Sequence, residues 1–324
     1  WPRKRPSGVF DSSSAVAAFI VRPDGRVLYP RRAKNPGQGR LGTPGGFLDL
    51  GETANWYVQG SWAQAENASD WIQWVVSPNN GRPNTLFANI QVVLPGEVVR
   101  SHRHTNGALR FIIEGKIGYT VVDGQRYPMV PGDLVITPSW SWHDHANESD
   151  VPMLWLDSLD APLVRLLEVG FREDYPDEIQ PPGEGNDNSQ ARYSSGGLRP
   201  AWEPAPSTPH TPMCRYPLEQ AKAALDRLGA AEAGSPYDGI ILEYTNPVTG
   251  GPVMPTIGCY IQLLRPGEHT SCVCYHVVEG SGYTVIDGQR LDWEEKDVFS
   301  VPAWAFHEHV NSSDRPAIVF SVTD

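Results

Sequence analysis

Two short stretches carry histidine at every second position: Ser101-His102-Arg103-His104 and Trp142-His143-Asp144-His145. On an extended chain, residues two apart point to the same face. His102 and His104 therefore aim one way together, and so do His143 and His145. A lone strand histidine is ordinarily a packed or hydrogen-bonded core group, but the chain has only 9 histidines and four of them fall into these two pairs. That pattern points to a transition-metal site, because neutral imidazole is the commonest protein ligand for such ions. Three imidazoles facing one another inside a barrel leave coordination positions open.

Strands must carry these residues. Thr85-Leu-Phe87-Ala-Asn89-Ile-Gln91-Val-Val-Leu94 reads as a strand leading into the first histidine pair. Phe111–Gly115, Gly118–Val122, the Asp123-Gly124 turn, Leu134–Ile136 and Pro152–Leu156 supply further short runs with turn residues between them. Short strands at regular spacing indicate a sandwich or barrel. Arg110 lies an even number of residues beyond His104, so a regular strand turns it inward with the ligands. The competing reading is an arginine in an ion pair at the rim. His145, on the face of His143, is either a proton acceptor or a core histidine with satisfied hydrogen bonds.

The composition restricts the class. A chain of 324 residues can bury a core of two domains. No apolar run approaches the ~20 residues that span a bilayer. The basic opening Trp1-Pro-Arg-Lys-Arg-Pro6 has no apolar stretch behind it, which argues against a secretory leader. Four cysteines without framework spacing suggest a reducing, cytoplasmic compartment. A net charge of −12, from 26 basic and 38 acidic side chains, disfavours nucleic acid and anionic membranes as partners.

The first segment contains an apolar run, an Asp24-Gly25 turn and a second run, a hairpin signal. Its phrase Pro44-Gly-Gly-Phe47-x3-Gly51-Glu52-Thr53 resembles the opening of a Nudix hydrolase box. The carboxylate-bearing helix that magnesium–pyrophosphate chemistry needs is replaced by Gly60-Ser-Trp-Ala-Gln-Ala65, so residues 1–55 read as a catalytically silent remnant. Residues 56–171 form a first barrel domain, and 172–213, rich in Pro, Gly and Ser, form a long connection of the kind that wraps a surface or caps a site. Residues 214–324 hold one patterned helix, Tyr216 to Leu228 with Gly229 near its end, and a second barrel.

That second barrel is a repeat of the first. Gly282-Tyr-Thr-Val-Ile-Asp-Gly-Gln-Arg290 matches Gly118-Tyr-Thr-Val-Val-Asp-Gly-Gln-Arg126, and the block Val301–Asn311 matches the His143 block at the same offset. The copies differ in chemistry. The stretch Gly267 to Glu279 is six residues shorter than Gly96 to Glu114, and the His-x-His pair has gone, leaving His269. His307 and His309 are therefore expected to be structural.

Gly96-x5-His102-x-His104 followed by Gly132-x5-Pro138-x-Trp140-x2-His143-x3-Asn147 resembles the two signature motifs of the cupin superfamily, with Trp140 in place of the usual second glycine. Where most cupins place a glutamate ligand, this chain has Ala108 and Leu109. The phrases His102–Phe111, Thr137–Asn147, Trp155–Val164 and Glu243–Thr270 are together similar to the gentisate 1,2-dioxygenase family over about residues 80 to 324.

The resemblance implies an all-β bicupin: two double-stranded β-helix (jelly-roll) barrels with few helices, plus the N-terminal hairpin. It implies Fe(II) held by His102, His104 and His143, and O2-dependent opening of gentisate (2,5-dihydroxybenzoate) to maleylpyruvate. Catalytic roles fall to Arg110, as carboxylate partner, and to His145 and Asp157. Arg110, Phe87 and Asn89 would contact substrate, with Asn89 standing where relatives have glycine. A homotetramer is implied as well. Three neutral ligands on an octahedral ion would leave two positions for an ortho-hydroxy carboxylate and one for O2. The alternatives are a salicylate or 1-hydroxy-2-naphthoate dioxygenase, or a non-catalytic bicupin whose metal chemistry has decayed.

Overall fold

In the computed structural model the alternating runs pair into two sandwiches of antiparallel sheets. The structure describes residues 86–181, 187–204, 206–270, 274–301 and 305–323, with the strands Ser14–Ala17, Gly45–Leu48 and Ile72–Gln73. Ser14–Ala17 pairs antiparallel with Gly45–Leu48. The Asp24-Gly25 turn and the Gly51-Glu52-Thr53 phrase lie outside the described residues.

The first sandwich sets a six-stranded sheet, in the order Arg215–Tyr216, Leu134–Thr137, Ala108–Glu114, Met153–Leu159, Phe87–Val93, Ile72–Gln73, against a five-stranded one. The latter runs Arg172–Asp174, Val98–His104, His143–Asn147, Gly118–Val122, Gln125–Met129. The second repeats the plan with five strands (Ile240–Glu243, Gly258–Leu264, Ala317–Thr323, Cys274–Glu279, Val298–Ser300) and four (His269–Thr270, His307–Val310, Ser281–Ile286, Gln289–Glu294).

Alternation decides which core each side chain joins. Val93, Ile112, Val135, Met153 and Trp155 fill the first barrel together with Val99 and Met129. Their neighbours of opposite parity, Ile90, Leu109, Phe111, Leu134, Ile136 and Leu156, face outward and merge with Ile261, Ile318, Phe320 and Val322 of the second half into one cluster. Phe111 stacks on Phe320 at 4.2 Å between ring centroids. The two halves therefore share a core, and the large aliphatic and aromatic area removed from water there drives their association.

The duplication extends to side-chain detail. Asp123 and Asp287 both adopt φ 46 ahead of a left-handed glycine, the geometry of a tight hairpin turn. Their carboxylates accept from the backbone N–H of Trp142 at 2.8 Å and of Phe306 at 3.1 Å. Asn147 and Asn311 each donate through Nδ2 to two carbonyls, Val93 and Val151 in one half, Leu264 and Arg315 in the other. Where the first half pairs Val98–His104 with His143–Asn147, the second pairs His269–Thr270 with His307–Val310.

The patterned helix spans Leu218–Ala231, later at both ends than its apolar pattern indicates. Pro217, in extended conformation at its N-cap, keeps Tyr216 out of the helix, and Tyr216 instead pairs with Leu134. Gly229 continues the helix, which turns extended only at Glu232. No helix among the described residues is long and apolar enough to cross a membrane.

Candidate metal centre

His102 and His143 lie directly opposite one another on neighbouring strands, and His104 follows two residues along. The ring centroids stand 4.4 Å apart for His102–His143, 4.7 Å for His104–His143 and 5.5 Å for His102–His104. One ring nitrogen from each lies within 4.8 Å of the others, and this is the one such group among the described residues. In each ring Nδ1 is hydrogen-bonded to a backbone carbonyl: Arg100 for His102 (2.8 Å), Asn106 for His104 (2.8 Å) and Ser141 for His143 (2.9 Å). A carbonyl only accepts, so Nδ1 carries the proton and Nε2 presents a lone pair.

The Nε2 atoms of His102 and His143 are buried without any hydrogen-bond partner. Burial holds His102 and His104 down at about 4 and His143 well below the usual imidazole range, so all three are neutral at pH 7. Unpartnered buried acceptors are costly unless something binds them. A divalent cation supplies what the Nε2 atoms of His102 and His143 lack, and the three-imidazole donor set fits a nitrogen-preferring transition metal with open positions.

Arg110 sits on the strand Ala108–Glu114 of the six-stranded sheet, directly across from Asp157. It is fully buried, which excludes the rim reading. Its Nε lies 3.1 Å from Asp157 Oδ1, and its Nη1 donates to Thr137 Oγ1 at 2.5 Å. Burial pushes Asp157 up to about 6 against the opposing pull of Arg110, and burial likewise lowers the arginine. His145 is buried too, with both ring nitrogens unpartnered, 5.7 Å from the His143 ring and edge-on to Trp155 at 5.5 Å. A bulge lies between His143 and His145, so that His145 pairs with Val99. Burial and the charge of Arg110 keep His145 neutral.

Phe87 is half-buried at the start of the strand Phe87–Val93. Position 89 is in register with Asp157, hence in the row that includes Arg110; the Asn89 side chain is outside the described residues.

Several neighbours escape a reading of the sequence. Thr137, the Nη1 acceptor, is masked by sitting inside a proline-turn motif. Gln91 is fully buried with its amide unpartnered and stands opposite Trp155; its spacing from Asn89 by two is the one sequence signal for it. The stretch after residue 171 contributes Arg172–Asp174 as a strand alongside Val98–His104, with Arg172 opposite His104 and Asp174 opposite His102.

In the second half, Thr284 Oγ1 lies 2.6 Å from His309 Nδ1 and accepts from Trp293 Nε1 at 2.9 Å, while Tyr275 packs edge-on to His309 at 4.1 Å.

Comparisons with known proteins place the chain in a family. The family described as "Cupin domain" matches residues 89–159 and 263–323. The chain is 41% identical over 246 residues to gentisate 1,2 dioxygenase 1 of Aquipseudomonas alcaligenes, covering 74% of this chain and 70% of that protein. It is 40% identical over 255 residues to a 1-hydroxy-2-naphthoate 1,2-dioxygenase of Nocardioides sp. (strain KP7), covering 74% and 63%. The crystal structure of a salicylate 1,2-dioxygenase from Pseudaminobacter salicylatoxidans superposes with a TM-score of 0.69 at 30% identity, covering 78% and 75%. None of this supports the Nudix-like reading of the first residues, and that resemblance is withdrawn. A bicupin fold of mostly β structure, at this identity to a relative of which the chain covers 70%, identifies the chain as a member of the cupin family of ring-cleaving 1,2-dioxygenases, which are metal-dependent oxidoreductases.

Proposed function

We propose that the chain opens gentisate with O2 between the carbon bearing the carboxylate and the adjacent carbon bearing hydroxyl, giving maleylpyruvate, with Fe(II) held by His102, His104 and His143. The observation that carries this reading is the pairing of three neutral imidazoles, Nε2 turned inward, with a buried arginine in the same barrel. Bound Fe(II) would supply Lewis acidity and bring both reactants to one centre. The protein does the rest. Arg110, held in place by Asp157 and Thr137, offers a charge-assisted hydrogen bond to the substrate carboxylate. His145, neutral and unpartnered, accepts the phenolic proton. Asp157 orients the guanidinium, and Phe87 and Asn89 contact the ring.

Relatives are named for gentisate and for 1-hydroxy-2-naphthoate, and we expect a residue larger than glycine at position 89 to favour the single ring. The test is O2 uptake by protein loaded anaerobically with Fe(II), on gentisate, salicylate and 1-hydroxy-2-naphthoate. Gentisate should give the highest kcat/KM. Faster turnover of the naphthoate would overturn the substrate assignment, and no uptake on any of the three would return the chain to a non-catalytic bicupin.

A further inference from the structure

The second half has no three-histidine group among its described residues, yet it reaches the first half's centre through one carboxylate. Asp160, buried just beyond the Met153–Leu159 strand, accepts two hydrogen bonds. Oδ1 takes the backbone N–H of Gly107 at 2.9 Å, and Oδ2 takes the hydroxyl of Thr256, from the second half, at 2.6 Å. The Gly107 N–H belongs to the same peptide unit as the Asn106 carbonyl, and that carbonyl accepts His104 Nδ1–H at 2.8 Å. The chain of contacts therefore runs from Thr256 to Asp160, through one peptide plane, to His104. Space fixes the plane from the other side. A Cβ on Gly107 would stand 2.9 Å from the sulfur of Met254, two residues before Thr256. Met254 is itself buried in the core shared by the halves and bridged to Ile257.

We infer that Asp160 and Thr256 are positioning residues for His104, through which the second half sets the metal affinity of the first. A carboxylate at the N–H end of a peptide polarises it, and hydrogen bonds in series strengthen one another. The Asn106 carbonyl becomes the better acceptor, Nδ1–H is drawn toward it, and Nε2 becomes more basic. Carboxylates that act on a ligating histidine usually touch the ring; here the peptide relays the effect. Thr256 fixes the carboxylate's rotation, so the loop containing residues 252–257 registers the two halves.

The inference rests on the three-histidine metal reading, and the experiment separates the two. Co(II) is titrated into metal-free parent, Asp160→Asn, Thr256→Val, Thr256→Ser and Glu114→Gln, followed by visible ligand-field absorption, with circular dichroism as the check on folding. Asp160→Asn keeps an acceptor for Gly107 but removes the charge, and should weaken Co(II) binding by about 10- to 100-fold, the usual cost of losing such a partner. Thr256→Val should weaken it less and Thr256→Ser should restore it. Glu114→Gln breaks a different contact between the halves, the ion pair to Lys296, and should leave affinity unchanged. Parent affinity in folded Asp160→Asn, or an equal loss in Glu114→Gln, overturns the inference. Failure of the parent itself to bind Co(II) overturns the metal reading as well.

Discussion

The buried pair of Arg110 and Asp157 permits a prediction whose sign changes with how many partners are removed. Neither side chain is more than 1% exposed. Removing one member leaves an uncompensated charge, which costs about 3–5 kcal/mol, whereas replacing both by apolar groups of similar size is near neutral or stabilising. Arg110→Met and Asp157→Leu should each lower stability by about that amount. The double variant should return to within about 2 kcal/mol of the parent, a coupling far outside the additive limit of roughly 0.5 kcal/mol. Urea unfolding of the metal-free proteins measures all four corners.

The pH dependence gives an independent check. In Arg110→Met the stabilising cation is gone, so the folded-state pKa of Asp157 rises beyond its value of about 6. A carboxyl whose folded pKa is raised contributes stability that is present below its unfolded pKa and is lost as pH rises through the folded one. The gap between parent and Arg110→Met should therefore be widest at pH 8 and narrow towards pH 5. The histidines beside Arg110 act in the same direction: its charge lowers them in the parent, which therefore loses more stability on acidification than Arg110→Met does. Additive losses in the double variant, or a gap that widens on acidification, would refute the reasoning. The double variant also isolates function: folded and still binding metal, it should fail to turn over gentisate, and retained turnover would remove Arg110 from the substrate site.

His102→Ala, His104→Ala and His143→Ala should each abolish stoichiometric metal loading, while His307→Gln should retain it; elemental analysis that finds full loading in two of the first three would refute the assignment. The metal-free parent should lose stability as pH falls from about 6.5. Burial puts His102, His104 and His276 near 4 and His309 near 3, so the unfolded chain takes protons first and the loss continues down to about those values. Raised Asp157 opposes this, and a melting temperature that climbs between pH 6.5 and 4.5 would contradict the burial of these rings. Arg103 is sandwiched between Trp140 and Trp142, 4.5 and 4.4 Å from their centroids, and ion-paired to Glu173. Arg103→Met should cost about 1–2 kcal/mol, from two cation–π contacts and one exposed pair, measurable as a lower urea midpoint at unchanged slope.

Alternation along a strand is a property of a few consecutive residues, and everything that depends on it was legible in the sequence. The pairing of His102 with His104 and the inward turn of Arg110 are of this kind; the Asp-Gly turns at Asp123 and Asp287 and the duplicated blocks are equally legible, as local phrases of the chain. So is the loss of the His-x-His pair in the second half, since a deletion is visible wherever a repeat is. What the sequence could not disclose is which distant strands become neighbours. Asp157 faces Arg110 because Met153–Leu159 lies beside Ala108–Glu114. The chain after residue 171 lays Arg172–Asp174 against the ligand strand. Trp140, in the place of a cupin glycine, holds φ 62, and its N–H binds the His104 carbonyl at 2.8 Å while its ring covers Arg103. A strained backbone of this sort persists where the surroundings over-determine it. The contact of Asp160 with Thr256 joins residues of the two halves through a shared apolar core. Such contacts are selected by the burial of whole faces, a sum over many side chains from distant segments, so only the folded chain decides them.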